Sequence, residues 1–333
     1  MSDESWRPTA TRAVLEQRAS ALARIRSFFG ARGVLEVDTP VVVNAPVTDV
    51  HIHSAEVRFP DAAMRGEAAL FFLHTSPEFA MKRLLAAGSG DIYQICHVAR
   101  GLERGRHHNA EFTLIEWYRG GFSLEQLMDE VEALAREVLG PRAAAMASER
   151  LTYREAFVRE LKIDPFTCTL EELKQAARDI GFQTSPTTPE SSESVRDELL
   201  ELLMGATLGP RLGRNALTFI HRYPASQAAL ARLDPSDPRC ALRFELYCEG
   251  IELANGFHEL ASHEEQRARF EQDRKERQLR GLPTHALDEN FLSALEAGLP
   301  DAAGVALGFD RLLMLATGAG HIDEVMAFPV ERA

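Results

Sequence analysis

YQICHVARGLERGRHHNAEFTLIEWY, residues 93–118, reads as two strands joined by a basic loop. Tyr93, Ile95 and Val98 sit among β-formers on the first side, and EFTLIEWY alternates as a half-buried strand does. Alternation sends Thr113, Ile115 and Trp117 to one face and Phe112, Leu114, Glu116 and Tyr118 to the other. Taken alone, the second face is the wet side of the strand, with Glu116 solvated. The loop argues for more. Arg100, Arg104, Arg106, His107 and His108 meet only Glu103 there, in a chain whose 50 Asp and Glu outnumber its 37 Lys and Arg. Guanidinium forks beside an aromatic, Phe112, suit a polyphosphate that carries a flat ring.

RGLERGRHHNAEF followed by TLIEWY resembles motif 2 of the class II aminoacyl-tRNA synthetases, in the form used by the lysyl enzymes. Arg100, His108, Asn109, Phe112, Glu116 and Tyr118 fall in register with it. Ala99, Leu102 and Ala110 depart from it, standing where the family has an aromatic, a Glu and a Pro; Glu103 lies next to the substituted Glu.

Outward from this stretch, the chain supplies matching pieces. Residues 11–32 carry apolar groups at helical spacing, followed by Gly33 and a short strand, VLEVDTP, closed by Pro40. Helix, strand and proline resemble motif 1, which in the family builds a homodimer interface. Residues 71–87 pass from a strand into a helix, with Ser76 as N-cap, Pro77 at N1 and Glu78 in the first turn, where the helix dipole alone favours a carboxylate. TSPEFAMKRLL is similar to the stretch that lines the family's amino-acid pocket, so the resemblance assigns Ser76, Pro77 and Glu78 to substrate.

RFELYCEGIELANGFHEL reads as a hairpin turning at Glu249 and Gly250. A two-residue turn puts Tyr247 opposite Glu252 and places Glu245, Tyr247, Glu252 and Ala254 on one face. Two carboxylates about 7–8 Å apart on a diagonal repel unless a cation lies between them, and oxygen ligands with phosphates suit Mg²⁺. The family's acidic ligands of the ATP-bound magnesium come from this segment. The resemblance therefore gives Glu245 and Glu252 to the metal, Glu245 and Leu246 to ATP, and Glu252, Asn255, Phe257 and Glu259 to the amino acid. GVALGFDRLLML, residues 304–315, reads as a small-residue strand leading into a helix, in which Gly304 and Gly308 admit a close approach. It resembles motif 3 and gives Gly308 and Arg311 to ATP and Ala306 to the substrate.

The fold this implies is α+β, an antiparallel sheet flanked by helices. A single catalytic domain is expected over residues 1–333, with an insertion at about 151–216. Within it Thr169 and Glu172 form a capping box, 184–194 is a polar loop, and 195–209 is a helix ended by Gly209 and Pro210. Residues 262–280 alternate charges as a solvent-facing helix does.

Composition bounds the rest. With 333 residues, 45% hydrophobic, the chain can bury a large core. A formal net charge of −13 excludes a broad nucleic-acid surface. Cys96, Cys168, Cys240 and Cys248 form no CxxC pair, so neither a zinc knuckle nor a disulfide framework is indicated. No signal peptide or membrane helix is visible, which places the chain in the cytoplasm without a membrane partner.

Motif 1 begins almost at once, leaving no anticodon-binding domain. Such a truncated lysyl-type core resembles the branch of the family that joins (R)-β-lysine to a lysine of translation elongation factor P. That resemblance implies ATP and Mg²⁺, an aminoacyl-adenylate, catalysis by Arg100 and Arg311, lysine or (R)-β-lysine as substrate, elongation factor P as acceptor in place of tRNA, and a homodimer. Ala306, where lysyl-tRNA synthetases carry glycine, adds a methyl group that favours a β- over an α-amino acid. Two other readings stay open: an enzyme that charges tRNA or activates another amino acid, and an inactive binding module, for which Leu102 speaks.

Overall fold

Residues Glu111–Gly120 do form a strand, but one without a wet side: every residue from Thr113 to Arg119 is buried. The reason lies in the layers around it. The computed structural model describes residues 6–59, 70–101, 103–182 and 192–333; Leu102 and residues 184–191 of the polar loop lie outside them.

In chain order the elements are α1 Arg12–Gly30, β1 Leu35–Glu36, β2 Val42–Val43, β3 Glu56–Arg58, β4 Leu70–Leu73, α2 Glu78–Ala86, β5 Ile92–Ala99, β6 Glu111–Gly120 and α3 Leu124–Leu139. They continue as β7 Ala147–Thr152, α4 Tyr153–Leu161, α5 Leu170–Asp179, α6 Ser192–Leu203, β8 Ala216–Pro224, β9 Leu233–Asp234, β10 Asp237–Cys248 and β11 Ile251–His258. The chain closes with α7 His263–Leu279, α8 Glu289–Gly298, β12 Ala302–Gly308 and α9 Phe309–Thr317. Two compact units result, one of residues 1–141 with 259–333, the other of residues 142–258. No helix among the described residues is long and apolar enough to cross a membrane.

In the first unit the strand order is β1-β5-β6-β12. β1 runs parallel to β5, whereas β5–β6 and β6–β12 are antiparallel. One face of this sheet is closed by α1 and α3. Thr11 caps α1, its hydroxyl accepting from the Val14 N–H, and Phe29 stacks on Tyr93 at 4.3 Å and meets Trp117 edge-on at 5.3 Å. The Trp117 indole donates to Glu130 of α3. Trp117 is 0% exposed, so its replacement by alanine would cost about 3–5 kcal/mol. The opposite face of the same strands carries Gln94, Glu116 and Ala306 as one cross-strand row, since Glu116 pairs with both of the others.

α9 is anchored in the same unit by a partly buried ion pair: Arg18 of α1 lies 2.5 Å from the buried Asp310, which also accepts from the Thr113 N–H. The same unit holds a smaller antiparallel sheet of order β2-β4-β3, with β4 in the middle. α7 is not wholly solvent-facing. Phe270 is buried and packs near Phe79 and Phe291, while the Arg277 guanidinium donates to the Asp49 and Pro283 carbonyls.

The second unit has the order β11-β10-β8-β7, with β9 on β10 and with β7 and β8 parallel. Tyr153, Phe157, Leu173, Leu199 and Leu203 build its core. The Thr169–Glu172 capping box is present. The helix over 195–209 is less regular than its periodicity predicts: α6 ends at Leu203 and is followed by a π turn, Met204–Leu208. At the hairpin, Glu249 and Gly250 have φ of 51° and 77°, the two left-handed positions of a type I′ turn. A Cβ on Gly250 would meet the Pro210 carbonyl at 2.7 Å.

Candidate active site

The first polar cluster of the site is built from α2 outward. Ser76 is not the N-cap as its sequence position predicts; Pro77 is. The chain enters the helix one residue later, and the Ser76 hydroxyl still accepts from the Glu78 N–H at 3.0 Å. That leaves its proton for Glu116, 2.7 Å away on β6. The other oxygen of Glu116 accepts from the Tyr118 hydroxyl at 2.7 Å. Glu116 is 2% exposed, which corrects the solvated alternative.

One turn along α2, Lys82 reaches back to Glu78 at 2.6 Å and across to Glu259 at 2.5 Å. Lys82 is 0% exposed. Burial alone would strip its proton, but Glu259 and Glu78 outweigh that and hold its pKa above the ordinary value. The acids move the other way: burial, reinforced by repulsion from Glu78, pushes Glu116 up to about 7 and Glu259 up to about 8. Three carboxylates thus share one ammonium. Gly304 makes the packing possible, for a Cβ there would lie 2.3 Å from the Tyr118 ring and 2.5 Å from Glu259. Ala306, half-buried, stands directly opposite Glu116.

A second cluster lies at the β5–β6 loop. The Arg100 guanidinium sits 5.2 Å over the Phe112 ring and donates to the Thr75 carbonyl. Arg311, near the start of α9, donates to the His107 carbonyl and lies 2.6 Å from Nε2 of His108. Burial and the charges of Arg311, His107 and Arg100 push His108 down to about 4, so its neutral ring accepts from Arg311. Arg311 thus rests on this imidazole, and Arg100 lies near enough to add to the local positive charge.

Not every predicted residue joins them. Arg104 is paired with Asp323 and Glu331, and Arg106 donates to the Gly320 carbonyl, so both fasten the loop to the C-terminal segment. Asn109, expected at ATP, is 1% exposed, its amide donating to the Glu111 carbonyl and accepting from the Val330 N–H. It shapes the loop. Gly308 is the N-cap of α9.

On the hairpin of the second unit, Tyr247 pairs with Glu252 as the turn predicts, but a bulge follows. Leu253 has no partner, and Glu245 lies opposite Asn255 while Leu246 lies opposite Ala254. A single extra residue transfers everything beyond it to the other face. Ala254 thus leaves the face of Glu245, and the Leu246 side chain, 0% exposed, is core and offers ATP only backbone. Phe257 packs beside a small cluster of Ala228, Ala231 and Ala241 rather than standing free.

The Glu245 carboxylate is held by Arg243 at 2.5 Å and by the Tyr223 and Tyr247 hydroxyls at 2.5 and 2.6 Å. Asn255 accepts from the same Arg243. Among the described residues no three ligating side chains form a resident metal site. Two carboxylates on one hairpin face are the donor type of a Mg²⁺ that arrives with phosphates, and to take such an ion Glu245 would exchange one of its present donors for it.

Sequence reasoning missed Lys82 and Gln94. The i, i+4 spacing of Glu78 and Lys82 was a signal for the first. For the second there was only alternation along β5.

A family profile described as "tRNA synthetases class II (D, K and N)" matches residues 5–332. The chain belongs to this class II synthetase family. Its relatives include proteins named elongation factor P–(R)-β-lysine ligase. The one from Vibrio cholerae is 50% identical over 333 residues, all of both chains. That of Yersinia enterocolitica is 49% identical over 331 residues, 99% of this chain and 98% of the relative, and that of Klebsiella pneumoniae 48% over 329, 99% and 98%.

Proposed function

We propose that the enzyme activates (R)-β-lysine, or a closely similar diamino acid, with ATP and transfers it to a lysine side chain of elongation factor P. The observation that carries this reading is the charge of the first cluster. Among the described residues Glu78 and Glu259 pair with Lys82 alone, and Glu116 feels the same ammonium, so the cluster, when fully ionised, lacks two positive charges. A substrate with two ammonium groups supplies them. The names of the full-length relatives support the same substrate and acceptor.

In the first step a carboxylate oxygen of the amino acid attacks the α-phosphorus, forming a P–O bond as the bridging bond to the β-phosphate breaks and pyrophosphate leaves. Arg100 stabilises charge at the α-phosphate and Arg311 at the γ-phosphate, while Phe112 stacks the adenine. Ser76, Glu78, Glu116, Tyr118 and Glu259 fix the two amino groups, so that much of the acceleration comes from orientation. Glu245 and Glu252 would hold Mg²⁺, which when bound would supply charge neutralisation at phosphate oxygens. In the second step the acceptor amine attacks the carbonyl carbon, a C–N bond forms, and AMP leaves with the C–O electron pair as the amine gives up its proton.

The reading places the enzyme in the cytoplasm, with a protein acceptor rather than tRNA, and as a homodimer through the α1–β1 region. Incubation of the enzyme with elongation factor P, ATP and (R)-β-lysine tests the whole: the acceptor is expected to gain one β-lysyl group by mass. Efficient charging of tRNA with an unmodified acceptor would overturn it.

A further inference from the structure

Across the three central strands of the first unit, Gln94, Glu116 and Ala306 stand in register. Directly paired residues project to the same side of a sheet, so Gln94 shares the face that carries Glu116. It is 1% exposed, and among the described residues neither its amide oxygen nor its amide nitrogen has a nitrogen or oxygen hydrogen-bond partner. The Cys96 sulfur, on the same side, takes a weak hydrogen bond from the Gln94 amide, which leaves the amide oxygen unmet. Its neighbours are otherwise satisfied: Glu116 accepts from Ser76 and Tyr118. A buried amide oxygen without a donor is costly and calls for one that a ligand can bring.

We propose that Gln94 is a further substrate-binding residue, whose amide oxygen accepts from the ammonium group that Glu116 neutralises. The inference rests on the proposed activation of a diamino acid. An ammonium carries three N–H donors, and a carboxylate on one side leaves others to be met. A neutral oxygen meets one without adding charge, so the match between three carboxylates, Lys82 and a substrate with two ammonium groups is kept. The amide nitrogen is the wrong end for this place, because a ligand carboxylate brought to it would lie against Glu116. Together, Gln94 and Glu116 fix one nitrogen sideways in the row, and Ala306 limits the space on the far side. Gln94 thereby helps decide where along the substrate's carbon chain that nitrogen must sit.

The test compares wild type with Gln94→Leu, Gln94→Met and Gln94→Glu in ATP–pyrophosphate exchange, with the KM for amino acid and for ATP measured separately and thermal midpoints recorded. Gln94→Leu and the nearly isosteric Gln94→Met are expected to raise the KM for (R)-β-lysine about 10- to 100-fold, the worth of a hydrogen bond to a charged group. The KM for ATP stays within about threefold and the midpoint does not fall, since an unmet buried amide oxygen has been removed. Gln94→Glu keeps an acceptor in place and, compared with wild type at the same pH, retains most of the affinity near pH 6, where the added acid is protonated and brings no charge. A change of less than about threefold in the amino-acid KM for the apolar variants would overturn the assignment, as would parallel loss of both KM values with a falling midpoint. So would a loss in Gln94→Glu near pH 6 equal to that in Gln94→Leu. Absence of exchange in the wild type would overturn the proposed activity together with it, and is thereby told apart from failure at Gln94 alone.

Discussion

The Lys82 ammonium lies 2.5 Å from a Glu259 carboxylate oxygen in a place where both side chains are sealed from solvent, at 0% and 1% exposure. The pair joins α2 to the segment that follows β11. Glu78 and Glu116 lie close enough to raise the Glu259 pKa, so negative charge is crowded around this one ammonium.

Removing Lys82 leaves the acids without their resident counter-ion. Lys82→Met is expected to destabilise the protein by about 3–5 kcal/mol, the cost of an uncompensated buried charge. The folded pKa of Lys82 is raised, so its contribution is fully present below the ordinary lysine value and disappears only as pH rises through the higher folded one. Denaturant titrations of wild type and variant near neutral pH check this.

Substrate binding should depend on pH in a defined direction. Glu116 and Glu259 have folded pKa values of about 7 and about 8, against 4.5 ordinarily. The folded, unliganded protein therefore keeps protons that the unfolded chain gives up across that window, and its stability falls as pH rises through it. A dicationic ligand favours the ionised acids. Binding near pH 7 is expected to release protons, visible in calorimetry across buffers of different ionisation enthalpy. The ligand-induced rise in thermal midpoint should be greater near pH 8 than near pH 6.

At the nucleotide, Arg100→Ala is expected to lower turnover by about 10²–10³, as loss of a preorganised donor does. Steady-state kinetics at saturating amino acid read this directly. His108→Ala removes the acceptor that orients Arg311 and should raise the KM for ATP more than the KM for amino acid.

Ala306 faces Glu116 across the β6–β12 ladder. Ala306→Gly withdraws one methyl group from the pocket and should shift the ratio of kcat/KM values toward α-lysine by about 1–3 kcal/mol. Competition between α-lysine and (R)-β-lysine in one exchange assay measures the shift.

What could be read in the sequence was what local chemistry writes there. The β5–β6 pair, the α5 capping box and the Glu249–Gly250 turn follow from alternation, from a Thr three residues before a Glu, and from a glycine between two β-forming runs. What escaped depends on residues far apart. β6 looks half-buried until α1 and α3 cover one face and the α2 segment brings Ser76 and Lys82 to the other. Arg104 and Asn109 resemble phosphate ligands until Asp323, Glu331 and Val330, more than 200 positions away, engage them. No glycine or proline marks the bulge at Leu253, so the face of Ala254 could not be foreseen.

The central claim, that the pocket is built for a substrate with two ammonium groups, meets its most direct test in ATP–pyrophosphate exchange with (R)-β-lysine, α-lysine and norleucine, which has α-lysine's chain without the terminal nitrogen. Exchange with the two diamino acids, strongest with (R)-β-lysine, and loss of at least about a hundredfold in kcat/KM with norleucine relative to α-lysine are predicted, since a site with buried charges rejects a ligand that leaves them unpaired. Norleucine activated as well as either diamino acid would contradict it.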